Sequence, residues 1–146
     1  MPPKMKLSPA LYYQDAPAAI DFLCRAFGFE VVAVYPGETP NNVAHAELRL
    51  GDDILMLGTA GNHPGGHSPR EFGASTVTIS IYTEDAAAAY DRARAAGAPN
   101  LTALEVKDYG GSGFSCTDPE GYEWAVGSYK PGVAQEGAAS GAETPA

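Results

Sequence analysis

The chain has 146 residues, and a chain of about 150 residues buries roughly 68–70% of the surface that it exposes when unfolded, enough for one domain with its own core. Nine lysines and arginines against eighteen aspartates and glutamates give a net charge of −9, which excludes the basic surface that nucleic acids require. The negative charge also disfavours anionic membrane surfaces, and no apolar run reaches the length of a membrane span. Two cysteines, Cys24 and Cys116, are too few for a disulfide framework, so we expect a cytoplasmic protein.

The chain begins with a predicted strand, LSPALYY, and continues into a predicted helix. Asp15 is a candidate N-cap, and an Ala-rich amphipathic segment over Ala16–Phe27 follows it. Gly28 supplies the C-terminal cap. The segments VVAVY, VAHAELRL and ILML then predict three more strands, so the first part of the chain has the order β-α-β-β-β.

The dipeptide Gly51-Asp52 lies between two of these strands and predicts a two-residue hairpin turn. Such a turn pairs Leu50 with Asp53. It also places Glu47 opposite Met56, and this pairing sets which side chains share a face of the sheet.

A segment rich in Gly and Pro separates this part from the next, from Gly58 to Ser75. His63 and His67 stand four residues apart in it, but Pro64 and the neighbouring glycines forbid the helix that would align two metal ligands. A metal site, a mobile flap over a binding pocket and a plain connector all fit this segment.

The second part of the chain repeats the first at an offset of 70 residues. Asp15 recurs as Asp85, and Gly51 recurs as Gly121 in the turn TDPEGYEWAV. A second helix is predicted over Ala86–Ala96, with strands TVTISIYT, LTALEV, GFSCTD and YEWAVG around it. We therefore predict an α+β fold of two βαβββ modules, at about 6–58 and 75–129 of a domain spanning 1–130. Residues 131–146 lack periodicity and aromatic side chains and are predicted to form a disordered tail.

Strand alternation predicts which side chains face the helices and which face away from them. Val77, Ile79 and Ile81 form the apolar side of one strand, and Ala44, Ala46, Leu48 and Leu50 form that of another. The opposite sides are too polar for a second dry core and too regular for plain solvent exposure, so we expect them to line a concave pocket. Its predicted polar side chains are those of His45, Glu47, Arg49, Thr76, Thr78, Ser80 and Tyr82.

Three segments carry a resemblance to a known family: DAPAAIDFLCRAFGFE, HAELRLGDDILMLG and DPEGYEWAVGSY. They resemble the vicinal oxygen chelate superfamily, which includes glyoxalase I, extradiol dioxygenases and bleomycin-resistance proteins. The resemblance covers about Lys6 to Tyr129 and is strongest with the single-chain glyoxalase/bleomycin-resistance branch. It implies that the two modules curve their mixed sheets into a cup with the helices outside, and that the protein forms a homodimer.

The metalloenzymes of this superfamily bind a divalent metal through side chains on the first and last strands of each module. The corresponding positions in this chain are Ser8, Met56, Thr78 and Ala125. None of these is a histidine or a carboxylate, the groups that such metals need. We therefore expect no metal and no other cofactor.

The resulting functional expectation is a metal-independent protein that binds a small molecule in the cup, as bleomycin-resistance proteins do. The alternatives are a lyase or isomerase resembling glyoxalases and dioxygenases, and a sensing module without ligand chemistry. His45 and Glu47 are catalytic candidates, as a base with its orienting carboxylate, but they also fit a ligand-contacting or purely structural ladder with Arg49. The predicted ligand-binding residues are Tyr12, His45, Glu47, Arg49, Met56, Thr78 and Tyr82.

Overall fold

The computed structural model describes residues 4–133 and 137–139, and it contains the two predicted modules. The first comprises β1 (Ala10–Tyr13), α1 (Ala16–Phe27), β2 (Glu30–Pro36), β3 (Val43–Leu50) and β4 (Asp53–Thr59). The second comprises β5 (Thr78–Tyr82), α2 (Ala86–Ala95), β6 (Glu105–Val106), β7 (Ser112–Thr117) and β8 (Glu123–Gly127). This order confirms the α+β class and the repeated βαβββ unit. Most of the predicted tail lies outside the described residues.

Each module forms its own four-stranded mixed sheet, in the orders β1-β4-β3-β2 and β5-β8-β7-β6. The first strand of each module runs parallel to the last, and the remaining neighbours are antiparallel. Leu50 pairs with Asp53 and Glu47 pairs with Met56, which confirms the hairpin register predicted from Gly51-Asp52. The two sheets are consistent with tandem modules that form a cup.

Both helices begin after their predicted aspartate caps, and α1 ends at the predicted Gly28, whereas α2 ends at Ala95, one residue earlier than predicted. The Asp15 carboxylate accepts the backbone N–H of Ala18 at 3.2 Å, and Gly28 ends α1 with a φ of 84°. Arg92 of α2 reaches this end and donates from Nε to the carbonyl of Arg25 at 3.1 Å, which joins the two helices. No helix of the described residues is long and apolar enough to cross a membrane.

Among the described residues, the larger of two hydrophobic clusters spans both modules, because apolar side chains of α1 and of both sheets pack together in it. Trp124 of β8 is fully buried, and its ring lies 4.9 Å from that of Phe27 and 6.0 Å from that of Phe29. Leu48 and Cys116, one from each module, belong to the same cluster. The opposite face of each sheet points away from this core, which is where a binding site has room.

The structure corrects two details of the predicted strands. Ala44 is exposed and Val43 is buried, because Pro36 of β2 pairs with Val43 and leaves one extra residue in β3. Before β6, the Thr102 side chain accepts the N–H of Ser115 at 2.9 Å, in place of a regular ladder bond. The predicted strand LTALEV is therefore reduced to the two residues of β6.

Candidate functional site

A cavity of about 310 Å³ lies on the open face of the first sheet, and we call it the first cavity. Three of the predicted ligand-binding residues line it: Tyr12 on β1, His45 on β3 and Met56 on β4. They meet because β4 lies between the other two strands and their side chains share one face. Asn62 and His63 of the following loop complete its wall.

His45 and Glu47 form the pair that their spacing on one strand predicts. His45 Nε2 lies 3.0 Å from Glu47 Oε2, and both side chains are about 40% exposed, at 41% and 37%. Tyr35 of β2 stacks on the imidazole with a centroid distance of 6.0 Å. The carboxylate and the tyrosine together hold the imidazole in one orientation at the mouth of the first cavity, where it can contact a ligand or accept a proton.

The loop after β4 closes one side of the first cavity. The ring of His63 stacks on that of Tyr12 at 6.0 Å, with an angle of 16° between the planes. Gly66 lies so close to Tyr12 that a Cβ there would be 2.7 Å from the ring, so only glycine fits. His67 instead pairs with Glu71, at 3.4 Å, and does not line the cavity. Of the two histidines, only His63 therefore contributes to the first cavity, and the loop forms part of the cavity wall. That the loop moves as a flap stays a prediction.

A second cavity, of about 230 Å³, lies on the open face of the second sheet. Ser80 and Tyr82 of β5, both predicted as pocket side chains, line it from the same strand face. Ala125, a position that corresponds to a metal ligand in the superfamily's metalloenzymes, also lines it. The other side chains of its wall were not predicted from the sequence: Lys107, Tyr109, Ser112, Phe114, Val126, Tyr129 and Pro131.

The other predicted ligand-binding residues lie outside these two cavities. Arg49 shares the face of Glu47 but is exposed, and it forms no ion pair within the part of the chain that the structure describes. Thr78 donates its hydroxyl to Glu123 Oε2 at 3.1 Å. One chain therefore brings Tyr12, His45 and Met56 together, with Glu47 beside them, and places Tyr82 in the second cavity. The ligand-binding roles themselves stay predictions.

The positions that correspond to metal ligands do not suit a divalent ion. The Ser8 hydroxyl already donates to the carbonyl of Ile54 at 2.6 Å, and Thr78 is engaged by Glu123. Met56 and Ala125 offer a thioether and a methyl group on the first and second cavities. Among the residues with a described position, no three His, Cys, Asp or Glu side chains come together as a metal site would need.

The loop between β7 and β8 ties the second module to the wall of the first cavity. Glu120 is only 4% exposed, and its carboxylate accepts the N–H groups of Gln14 and Asp15 at 2.7 and 2.8 Å. It also accepts the buried hydroxyl of Ser68 at 2.5 Å. The Tyr122 hydroxyl accepts the N–H of Tyr12 at 3.0 Å. These bonds fix the end of β1 and the cavity loop relative to each other, a role that the sequence alone did not reveal.

A buried carboxylate completes this tie. Asp118 is 2% exposed and accepts hydrogen bonds from the Tyr13 hydroxyl at 2.6 Å and the Trp124 indole N–H at 3.1 Å. Burial raises the pKa of Asp118, although the hydrogen bonds oppose that change. Burial and the Asp118 charge raise the pKa of Tyr13 well above its ordinary value. Because both groups are buried and hydrogen-bonded to each other, we assign them a structural role.

A groove of about 860 Å³ runs between the hairpin of the first module and β5. Its walls include Leu7 and Tyr82, which are 87% and 42% exposed. Among the described residues, no Cα atom of a strand in one sheet lies within 8 Å of a Cα atom of a strand in the other. The first and second cavities likewise share no lining residue.

Comparison with known proteins identifies the fold and the family. The family model of the Glyoxalase/Bleomycin resistance protein/Dioxygenase superfamily matches residues 7–126 and confirms the resemblance in the sequence. An uncharacterized protein of Mycobacterium bovis is 36% identical over 124 residues, which are 83% of this chain and 81% of that protein.

Two solved structures illustrate the shared architecture. TioX from Micromonospora sp. ML1 superposes with a TM-score of 0.71 and 26% identity, over 86% of this chain and 99% of TioX. A bleomycin-binding protein in complex with bleomycin has a TM-score of 0.63 and 22% identity, over 87% of this chain and 100% of that protein. The second likeness bears on the fold alone.

Proposed function

The chain belongs to the Glyoxalase/Bleomycin resistance protein/Dioxygenase superfamily, and on that premise we propose that it binds and sequesters a small molecule without a metal. One observation carries this proposal: the two cavities hold Met56 and Ala125 at positions where the superfamily's metalloenzymes have metal ligands. A thioether and a methyl group cannot offset the loss of water from a divalent ion. They leave apolar surface for an organic ligand instead. A role in antibiotic resistance, in the cytoplasm, is part of this proposal.

We also propose that two copies complete the cup. The two cavities share no lining residue; three of the predicted binding residues, Tyr12, His45 and Met56, line the first, and Tyr82 lines the second. A homodimer that sets the first cavity of one protomer against the second cavity of its partner would enclose a ligand on both sides. The groove beside β5, with its exposed Leu7 and Tyr82, supports burial of this region between protomers.

Native mass spectrometry of the protein purified from its own host tests the ligand and the assembly together. We expect a dimer mass with an organic compound bound and no stoichiometric metal. The bound compound should be depleted in Tyr12→Leu, which removes the ring that stacks on His63. Lys6→Ala, outside both cavities, is the matched control and should retain it. A monomer that never carries a compound would contradict the proposal.

The His45–Glu47 pair favours a second candidate, a lyase or isomerase that acts on a small substrate. In this reading Glu47 orients His45, and the imidazole moves a proton on a substrate held against Tyr12. Formation of lactoylglutathione from methylglyoxal and glutathione, followed by mass spectrometry with the metal-free protein, tests one such reaction. Turnover that is lost in His45→Ala but kept in Arg49→Ala would favour the enzyme over the binding protein.

A further inference from the structure

We propose that the second cavity binds a planar aromatic group that carries an anionic or strongly hydrogen-bond-accepting substituent. The inference rests on the proposed small-molecule binding and names the chemical class that this half of the site selects. Three features of the second cavity support this inference: the flat shape of its floor, the tyrosines around it and its positive local charge.

The floor of the second cavity is flat because two glycines face each other across β7 and β8. Gly113 pairs with Gly127, so no side chain rises from this part of the sheet. Any larger residue is excluded, since a Cβ at Gly127 would lie 2.5 Å from the carbonyl of Ser112. A flat floor of backbone suits the face of a ring better than a branched aliphatic group.

Three tyrosine side chains surround this floor. Tyr109 and Tyr129 meet edge to face with their centroids 5.2 Å apart, and Tyr82 stands on the neighbouring strand. The cavity volume of about 230 Å³ exceeds the roughly 150 Å³ of an engineered cavity that binds benzene, so a substituted ring or a fused pair fits. Rings that meet in this way offer both faces and edges for aromatic contact.

Every polar side chain of the second cavity can donate a hydrogen bond, and the Lys107 ammonium group can only donate. Lys107 is the one charged side chain among its lining residues, and its side chain is only 29% exposed. Its nearest carboxylate, Glu105, is 3.8 Å away, at the edge of ion-pair range. The hydroxyls of Ser80 and Ser112 also face the cavity and, within the described residues, form no hydrogen bond. No carboxylate lines the cavity to receive a cation.

The local charge is thus opposite to that of the whole chain. The net charge of −9 attracts cations over long distances, but this effect is screened beyond about 10 Å at 0.1 M salt. Within the cavity the ammonium group of Lys107 sets the sign of the local charge. A second ammonium group, that of Lys130, lies 5.6 Å from the centre of the Tyr82 ring. An acceptor or anion on the ligand would bind Lys107, while an ammonium group would be repelled.

Three ligands of one shape and different charge test the inference: 1-naphthoate, 1-naphthalenemethanol and 1-naphthylmethylammonium. Calorimetry gives their affinities for the full chain, and amide chemical shifts of Gly113 and Gly127 report where they bind. We expect naphthoate to bind at this floor at least tenfold more tightly than the ammonium compound. Lys107→Met should weaken naphthoate about tenfold and leave the alcohol unchanged, because one charge-assisted hydrogen bond is lost. Lys6→Met, outside both cavities, should change neither.

The outcomes separate this inference from the proposed function. Equal affinities, tighter binding of the ammonium compound, or an effect of Lys107→Met on all three ligands would overturn the inference. So would shifts that appear at Tyr12 and His45 but not at the two glycines. In each of these cases the compound found by native mass spectrometry still decides the proposed function. Failure of all three ligands to bind overturns the inference alone.

Discussion

Removing the Glu120 carboxylate should destabilise the protein strongly, because it leaves several polar groups without a partner at once. In Glu120→Ala the N–H groups of Gln14 and Asp15 and the fully buried hydroxyl of Ser68 all lose their acceptor. An unsatisfied buried polar group costs about 1–3 kcal/mol, and relief of the buried charge offsets part of the sum. We expect the free energy of unfolding to fall by about 3–5 kcal/mol.

Urea denaturation followed by circular dichroism measures this change. Glu120→Gln keeps one acceptor oxygen and should lose less than the alanine variant, about 1–2 kcal/mol. Glu123→Ala is the matched control, since this exposed glutamate only accepts the Thr78 hydroxyl, and its change should stay within about 0.5 kcal/mol. If Glu120→Ala and Glu123→Ala unfold at the same urea concentration, the loop between β7 and β8 does not hold the modules together and the reasoning is wrong.

Three further predictions concern pH, a helix end and metals. Burial raises the pKa of Cys116 from 9.0 to about 11, so the unfolded chain releases this proton first as the pH rises. The free energy of unfolding should fall by up to about 2–3 kcal/mol between about pH 9 and pH 11, and Cys116→Ala should flatten this fall in urea titrations. Gly28→Ala should cost about 1–2 kcal/mol, and more than Gly73→Ala, because both have a positive φ but only a Cβ at Gly28 meets Arg92. Calorimetry with zinc, nickel, manganese and ferrous iron should detect no micromolar stoichiometric site; binding that disappears in the double variant His45→Ala, Glu47→Ala would revive a metal mechanism.

Local patterns in the sequence predicted the modules well, since they depend on neighbouring residues. The caps at Asp15 and Gly28 and the Gly51-Asp52 turn each report a backbone conformation, and the hairpin register follows from the turn. The displacement of Ala44 was not predictable in the same way, because it arises from the pairing of β3 with Pro36, a distant partner.

The candidate site was predicted in part for the same reason. The alternation of side chains along the strands identified Tyr12 and His45, which the structure brings together. This alternation carries no information about the position of one sheet relative to the other. The second cavity depends on the pairing of Gly113 with Gly127, and glycine carries no hydrophobic signal. The buried carboxylates Asp118 and Glu120 read as ordinary turn residues, since their partners lie more than 50 positions away or in the other module.

The irregular pairing of β2 has a consequence for how the protein behaves at high concentration. β2 is the outer strand of its sheet, and Val31, Val34 and Tyr35 are exposed on it, a composition that invites pairing with strands of other molecules. In its pairing with β3, Val32 has no partner residue, and the register shifts again between Tyr35 and Pro36. Pro36 also lacks an N–H group to donate. An incoming strand would find no long run of evenly spaced hydrogen-bonding groups to copy. The extra residue at Val32 and the proline at the end of β2 therefore oppose edge-to-edge pairing of an apolar strand.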